Sequence, residues 1–155
     1  LGRRYVLKVI DDPSQRKVTC KLIGGQLRVQ GKELTTERTQ KAVRQWYRDR
    51  AIDVFQRRLT MLVETLPWTK TVPDWRMIDM QTQWGSCSPE GAVLLNPHLI
   101  KANTQAIDYV LLHELCHLVE HNHSPRFYAL LDRFMPEWRS VKEQLDGQAE
   151  VILVG

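Results

Sequence analysis

Three stretches near the start of the chain, YVLKVI (5–10), VTCKLI (18–23) and QLRVQ (26–30), alternate apolar and polar positions. A period of two is the mark of strands with one covered face. Asp12-Pro13-Ser14 and Gly24-Gly25 interrupt them, and adjacent glycines suit a two-residue hairpin turn. The expectation is a small antiparallel sheet. The period then changes: Val43, Trp46/Tyr47, Ala51, Val54/Phe55, Leu59, Leu62 and Leu66 recur at helical spacing. A long helix is predicted over 36–66. Thr35 or Thr36 can cap it, Glu37 lies in its first turn, and Pro67 ends it.

Beyond it, residues 67–75 hold Pro67, Pro73, Trp68 and Trp75, a loop that packs back on the fold. Residues 76–82 and 92–95 alternate again and predict a hairpin that brackets the loop WGSCSPEG (84–91). Helices are expected over 104–121, 125–134 and 136–146, followed by an apolar tail, VILV. This is an α+β pattern without internal repeats. It reads as a single domain over 1–155: a small β region at 1–35, the long helix, and a catalytic core at 76–146.

Composition bounds the setting. The chain is 43% hydrophobic and 26% charged, as soluble globular proteins are. No apolar run approaches the ~20 residues of a membrane span, so no membrane partner is expected. LGRRYVLKVI is too short and too charged for a signal peptide, and without an initiator Met it is expected to be the start of a trimmed or processed chain. Cys20, Cys87 and Cys116 form neither a CxxC pair nor an even set, pointing to a reducing, cytoplasmic compartment. Residues 1–66 carry 15 Lys/Arg against 7 Asp/Glu, whereas 67–155 carry 7 against 11. Arg38, Lys41, Arg44 and Arg48 share an arc of about 120° on the long helix, a solvent face or an anion-binding one.

The chemistry concentrates in VLLHELCHLVEHNHSPRF (110–127), which contains four of the five histidines. His113 and His117 are four apart, one turn and about 6 Å along a helix, and can reach one metal together. Glu114 is placed to touch a water at that metal without being a ligand. This is the HExxH arrangement of zinc hydrolases. For a third ligand, His121 lies a further turn along, and three side chains spread over about 12 Å of axis cannot converge on one ion. His123 would be rotated about 240° away in a continuous helix, so it returns to the metal only if the helix ends first. Asn122 tolerates the left-handed conformation that ends helices, and Ser124-Pro125 is a cap followed by a first-turn proline. The helix is therefore expected to stop near His121, with His123 as third ligand. Three protein ligands leave a fourth position open, the catalytic kind of site, for one Zn2+ per chain. Glu114 then acts as the base of a metal-dependent hydrolase.

QWGSCS (83–88), LNPHLI (95–100), IDYVLLHELCHL (107–118), NHSPRF (122–127) and PEW (136–138) closely resemble the YgjP-like metallopeptidase-domain family, a zincin group. LGRRYVLKV resembles that family's middle region, so the likeness spans nearly the whole chain and implies a parent protein with an additional N-terminal segment. The resemblance implies zinc at His113, His117 and His123, with Glu114 as base. It also implies a zincin-like fold: a small antiparallel or mixed sheet on the HExxH helix, an edge strand lying over it. HExxH-x5-H is also the spacing of the astacin and matrix-protease class, but that class has Gly where this chain has Glu120.

Trp84, Gly85, Ser86 and Cys87 are candidate cleft residues: Trp84 as a wall, Gly85 for close backbone approach, Ser86 as a donor. The competing reading makes Trp84 core, the serines turn residues and Cys87 a small buried hydrophobe. Cys116 reads as packing and His98 as an ordinary loop residue. Tyr109, Tyr128 and Arg126 stay open. The leading function is peptide hydrolysis on a peptide or protein substrate. The basic half keeps two alternatives in view, hydrolysis of a nucleotide phosphoanhydride and a nucleic-acid-associated protease.

Overall fold

The computed structural model describes residues 2–154; Leu1 and Gly155 of the expected 1–155 domain, and the side chain of Val154, lie outside the described residues. The chain divides into two compact units, Arg3–Arg50 and a larger one comprising Gly2 and the chain from Ala51 onward.

In the smaller unit, β1 (Val6–Asp11), β2 (Thr19–Ile23) and β3 (Gln26–Gly31) form a sheet in the order β1-β3-β2. β2 and β3 make the expected hairpin, with Gly24 and Gly25 at φ 55° and 79°, a double left-handed turn that side chains resist. β1, however, runs parallel to β3, in register from Val6↔Gln26 to Asp11↔Gly31. The sheet is mixed where an antiparallel one was expected. Alternation reports which face a residue takes, not which strand lies beside it or in which direction. Leu27 and Val29 of β3 are buried on its covered face.

α1 (Thr36–Thr65) is capped by Thr35, whose Oγ1 accepts the Arg38 amide at 3.1 Å. Arg38 turns its guanidinium onto the carbonyls of Lys32 and Glu33 at 2.6 and 2.9 Å. Lys41 and Arg44 of the same stripe are exposed. From Ala51 on, the helix belongs to the larger unit and buries Val54, Phe55, Leu59 and Val63 there. Burial of each such side chain stabilises by about 1.5–3 kcal/mol before the entropy of ordering.

In the larger unit, β4 (Trp75–Met77), β5 (Gly85–Cys87) and β6 (Val93–Leu95) form a second sheet, order β4-β6-β5. β4 is parallel and β5 antiparallel to β6. The stretch expected as the loop WGSCSPEG thus contains a strand, Gly85–Cys87. The turn is confined to 88–92, closed by Ser88 N–H to the Ala92 carbonyl and Gly91 N–H to the Ser88 carbonyl, both 2.9 Å, with Gly91 at φ 90°. Three residues are too few to show a period, which is why GSC is not legible as a strand.

A 3-10 helix, Pro97–Lys101, leads to α2 (Thr104–Cys116), α3 (Pro125–Phe134) and α4 (Trp138–Val154). α2 stops short of the expected 121. α4 starts later than 136 and absorbs the expected apolar tail, because Val141, Leu145 and Ile152 continue one buried stripe. No helix among the described residues is long and apolar enough to cross a membrane.

Candidate functional site

α2 is buried nearly all round, from Ala106 to Cys116, with Asp108 and, in its last turn, His113 part-exposed. Three contacts hold it. Asn103 Oδ1 caps its start by accepting the Ala106 amide at 2.8 Å. Arg58 grips Asp108 with two bonds, 2.8 and 2.6 Å. Trp68 Nε1 donates to the Leu115 carbonyl at 2.9 Å, a second donor on an acceptor at the helix end.

The end of α2 corrects one expectation. His117 is already the cap, at φ −68° and ψ −13°. The amides of His117, Leu118 and Val119 reach back three residues, to the carbonyls of Glu114, Leu115 and Cys116 at 3.1–3.2 Å. This 3-10 tightening ends the helix a turn before His121. Asn122 is not left-handed: among the described residues Glu33 is the non-glycine with positive φ. The chain still turns as required, and Ser124 Oγ accepts the Phe127 amide at 3.3 Å to begin α3, with Pro125 in its first turn.

His113, His117 and His123 thereby meet. One ring nitrogen of each lies within 4.8 Å of the others. His117 Nε2 and His123 Nε2 are 3.1 Å apart, and all three ring centroids are 4.9–5.1 Å from one another. Phe127, fully buried, underlies all three rings at 4.6–4.9 Å. His117 Nδ1 is 3.0 Å from the Glu120 carbonyl, a pure acceptor, so Nδ1 carries the proton and Nε2 presents its lone pair. Burial, and then the neighbouring imidazoles of His113 and His117, lower the pKa of His123 and favour its neutral form. Two nitrogens on a tetrahedral ion with ~2.0–2.1 Å bonds are about 3.3 Å apart, close to the 3.1 Å between His117 Nε2 and His123 Nε2. The donor set fits a divalent metal. His121 stands outside it, exposed at the cleft's rim.

Glu114 is 4% exposed, deep for a carboxylate. Its Oε1 is 3.3 Å from His113 Nδ1, and its buried Oε2 has no hydrogen-bond partner. β5 passes directly over it. A β-carbon at Gly85 would lie 3.2 Å from Glu114 Cγ, so the side chain is missing where the strand must approach the acid.

A cleft of about 520 Å³ opens here, lined by Trp84, Gly85, Ser86 and Cys87 on one side and by His113, Glu114, His117 and His123 on the other. Tyr109, buried, also lines it, whereas Tyr128 stacks on Trp138 and Arg126 is exposed. Cys87 is half-buried, and burial raises its thiol pKa. Cys116 is fully buried, its thiol pushed up to about 12 by burial, as packing requires. His98 sits in the 3-10 helix with Nδ1 3.3 Å from Lys101 Nζ, away from the cleft lining.

Two residues with structural roles at the site escaped sequence reasoning. Asn96, fully buried, donates to the carbonyls of Met80 and Gln83 at 2.9 and 3.0 Å and accepts the His98 amide at 3.1 Å, which fixes the segment leading into Trp84. Its signal was an Asn before Pro97, a helix-start pair. Phe127 carried the weaker signal of an aromatic three residues after the Ser124 cap.

A family model described as YgjP-like, metallopeptidase domain, matches residues 1–148. Among solved structures, the chain is similar to the metallopeptidase zymogen abylysin of Pyrococcus abyssi, at 19% identity and TM-score 0.48 over 61% of this chain and 90% of that one. It is also similar to the metallopeptidase zymogen jannalysin of Methanocaldococcus jannaschii, at 18% identity and TM-score 0.48 over 63% and 95%. No curated protein matches the chain.

Proposed function

Because the chain belongs to the YgjP-like metallopeptidase-domain family, we propose that it is a zinc peptidase in which His113, His117 and His123 hold one ion and Glu114 is the general base. The observation that carries this reading is the buried, unpartnered Oε2 of Glu114 beside three converging imidazoles. An all-imidazole set with an open position suits zinc among divalent ions. When bound, such an ion supplies Lewis acidity, which makes water a better acid and polarises the carbonyl under attack.

The chain's own residues do the rest. Glu114 Oε2 accepts a proton from the attacking water and returns it to the leaving amine. His113 Nδ1, against Oε1, keeps the other oxygen turned inward. β5, an edge strand along the cleft, offers its backbone to an extended peptide, with Trp84 as a wall and Ser86 and Cys87 along the strand. We take 76–146 as the catalytic core of a single hydrolase domain. Three free thiols support a reducing, cytoplasmic setting. A nucleotide substrate is disfavoured by the lining: its lysine, Lys142, is held by Asp146 at 2.6 Å, where a triphosphate needs several free cations.

The test compares wild type with Glu114→Gln for zinc content and for hydrolysis of casein, a peptide library and the four nucleoside triphosphates. The expectation is that Glu114→Gln keeps about one zinc and loses roughly 100-fold or more of its peptidase rate. Nucleotide hydrolysis without peptide cleavage would replace this reading with the phosphoanhydride one, and unchanged peptidase activity would refute Glu114 as base.

A further inference from the structure

The outer face of the small sheet carries a row of like charges. The register sets Lys8 opposite Arg28 and Arg28 opposite Lys21, so each strand contributes one cation to a line across β1, β3 and β2. At about 4.8 Å per strand the line is about 10 Å wide. It lies on the face away from the buried Leu27 and Val29. Like charges directly across a sheet repel, and a solvated face ordinarily intersperses both signs. Among the described residues Lys8 and Lys21 have no carboxylate partner, and Arg28 turns its Nε to Gln26 at 3.2 Å. Aliphatic side chains flank the row, Val6 and Ile23 on one side and Ile10 on the other.

The row ends at an open edge. β1 pairs with β3 on one side and, among the described residues, has no strand on the other. Val6, Leu7 and Val9 are 67%, 51% and 49% exposed, although Leu7 and Val9 share the face of the buried Leu27 and Val29. β2, at the opposite edge, is better covered. A single edge lysine is a common guard against strand pairing, and Lys8 alone would serve. Arg28 lies on the central strand β3, where no guard is needed, and joins the edge lysines Lys8 and Lys21 into one continuous row.

We infer that β1 accepts an acidic, extended segment of a partner protein, added as a fourth strand. A carboxylate of that segment lies in line with Lys8, Arg28 and Lys21. Two residues to either side, aliphatic side chains lie beside Val6 and Ile10, and the intervening residues cover Leu7 and Val9 on the other face. Backbone pairing gives affinity and the alternating pattern gives selectivity. A nucleic acid fits less well, because β1, β2 and β3 contain no aromatic residue on which a base could stack. All the residues involved lie in Arg3–Arg50, so the inference is independent of the catalytic reading.

The test uses the full chain and a fluorescent peptide of about ten residues built on valine-leucine-glutamate-valine-isoleucine. Anisotropy is expected to show binding that weakens with salt and falls about tenfold in Lys8→Glu. The same peptide with lysine in place of glutamate is expected to reverse the preference and bind Lys8→Glu better than wild type. Failure of wild type to bind, equal binding by both proteins, or tighter binding of an oligodeoxythymidine than of the peptide would each overturn the inference. The exchanged-charge pair separates a lost contact from a damaged fold.

Discussion

A β-carbon at Gly85 would stand 3.1 Å from the Leu94 carbonyl as well as 3.2 Å from Glu114 Cγ and 3.4 Å from its Oε1. The carbonyl belongs to the β5–β6 ladder and cannot retreat, so the added methyl must displace the glutamate. Gly85→Ala is therefore expected to keep its metal and lose activity about tenfold or more, since small misplacements of a catalytic group weigh heavily. Metal content and turnover measured together check this; a full rate in Gly85→Ala would show that β5 can yield. At this scale much was legible. His113 and His117 followed from helical spacing, and His123 from the need to end the helix before Ser124. The means of ending it was not legible, because Asn122 competes with a 3-10 tightening that uses backbone alone and leaves no mark in the sequence.

Among the elements, the α3–α4 corner positions one side of the cleft. Asp132 of α3 accepts Trp138 Nε1 at 2.8 Å and Arg139 Nη1 at 2.9 Å, and Trp138 in turn stacks between Tyr109 and Tyr128. The Trp138 bond first, then Arg139, lowers the Asp132 pKa below its ordinary 3.8. A carboxylate with a depressed folded pKa contributes fully above its unfolded value and loses that contribution as pH falls through the folded one. Asp132→Asn is thus expected to melt below wild type near neutral pH, the gap closing as pH drops below 3.8. Melting curves recorded from about pH 6 down to about 2.5 check it; a gap independent of pH would assign the effect to packing. The helices were read well from periodicity, whereas β5 was read as loop and the strand expected over 76–82 ends at Met77. Strand direction was not legible, since β1 beside β3 and β4 beside β6 are parallel pairs that nothing in their alternation distinguishes from antiparallel ones.

For the molecule as a whole, the candidate metal centre joins α2, the turn after it and the start of α3, so an ion bound there stabilises the folded chain over the unfolded one. At a hundredfold excess of free zinc over its dissociation constant the gain is about 2.7 kcal/mol, or roughly 5–10 °C in Tm for a chain of this size. Chelation is expected to remove that shift, and His117→Ala to abolish it. Calorimetry with and without chelator measures both, and a zinc-independent Tm in wild type would deny the site any affinity. The same scale holds a contrast in charge: Arg3–Arg50 carries thirteen Lys/Arg against five Asp/Glu, while the remainder of the chain is net acidic.

Sequence alone determined what depends on neighbours within a few residues: the helical face shared by His113 and His117, a cap at Thr35 or Thr36 and one at Ser124, and the Gly24-Gly25 turn. These are set by backbone geometry over one or two turns, which spacing encodes directly. Tertiary structure decided what depends on distant partners. Only packing shows that β5 crosses above Glu114 and that Phe127 floors the three imidazoles. Only strand order lines up Lys8, Arg28 and Lys21 at an open edge. Contacts between residues far apart in the chain leave no period in it, so the convergence of the three histidines was readable before the structure and its surroundings were not.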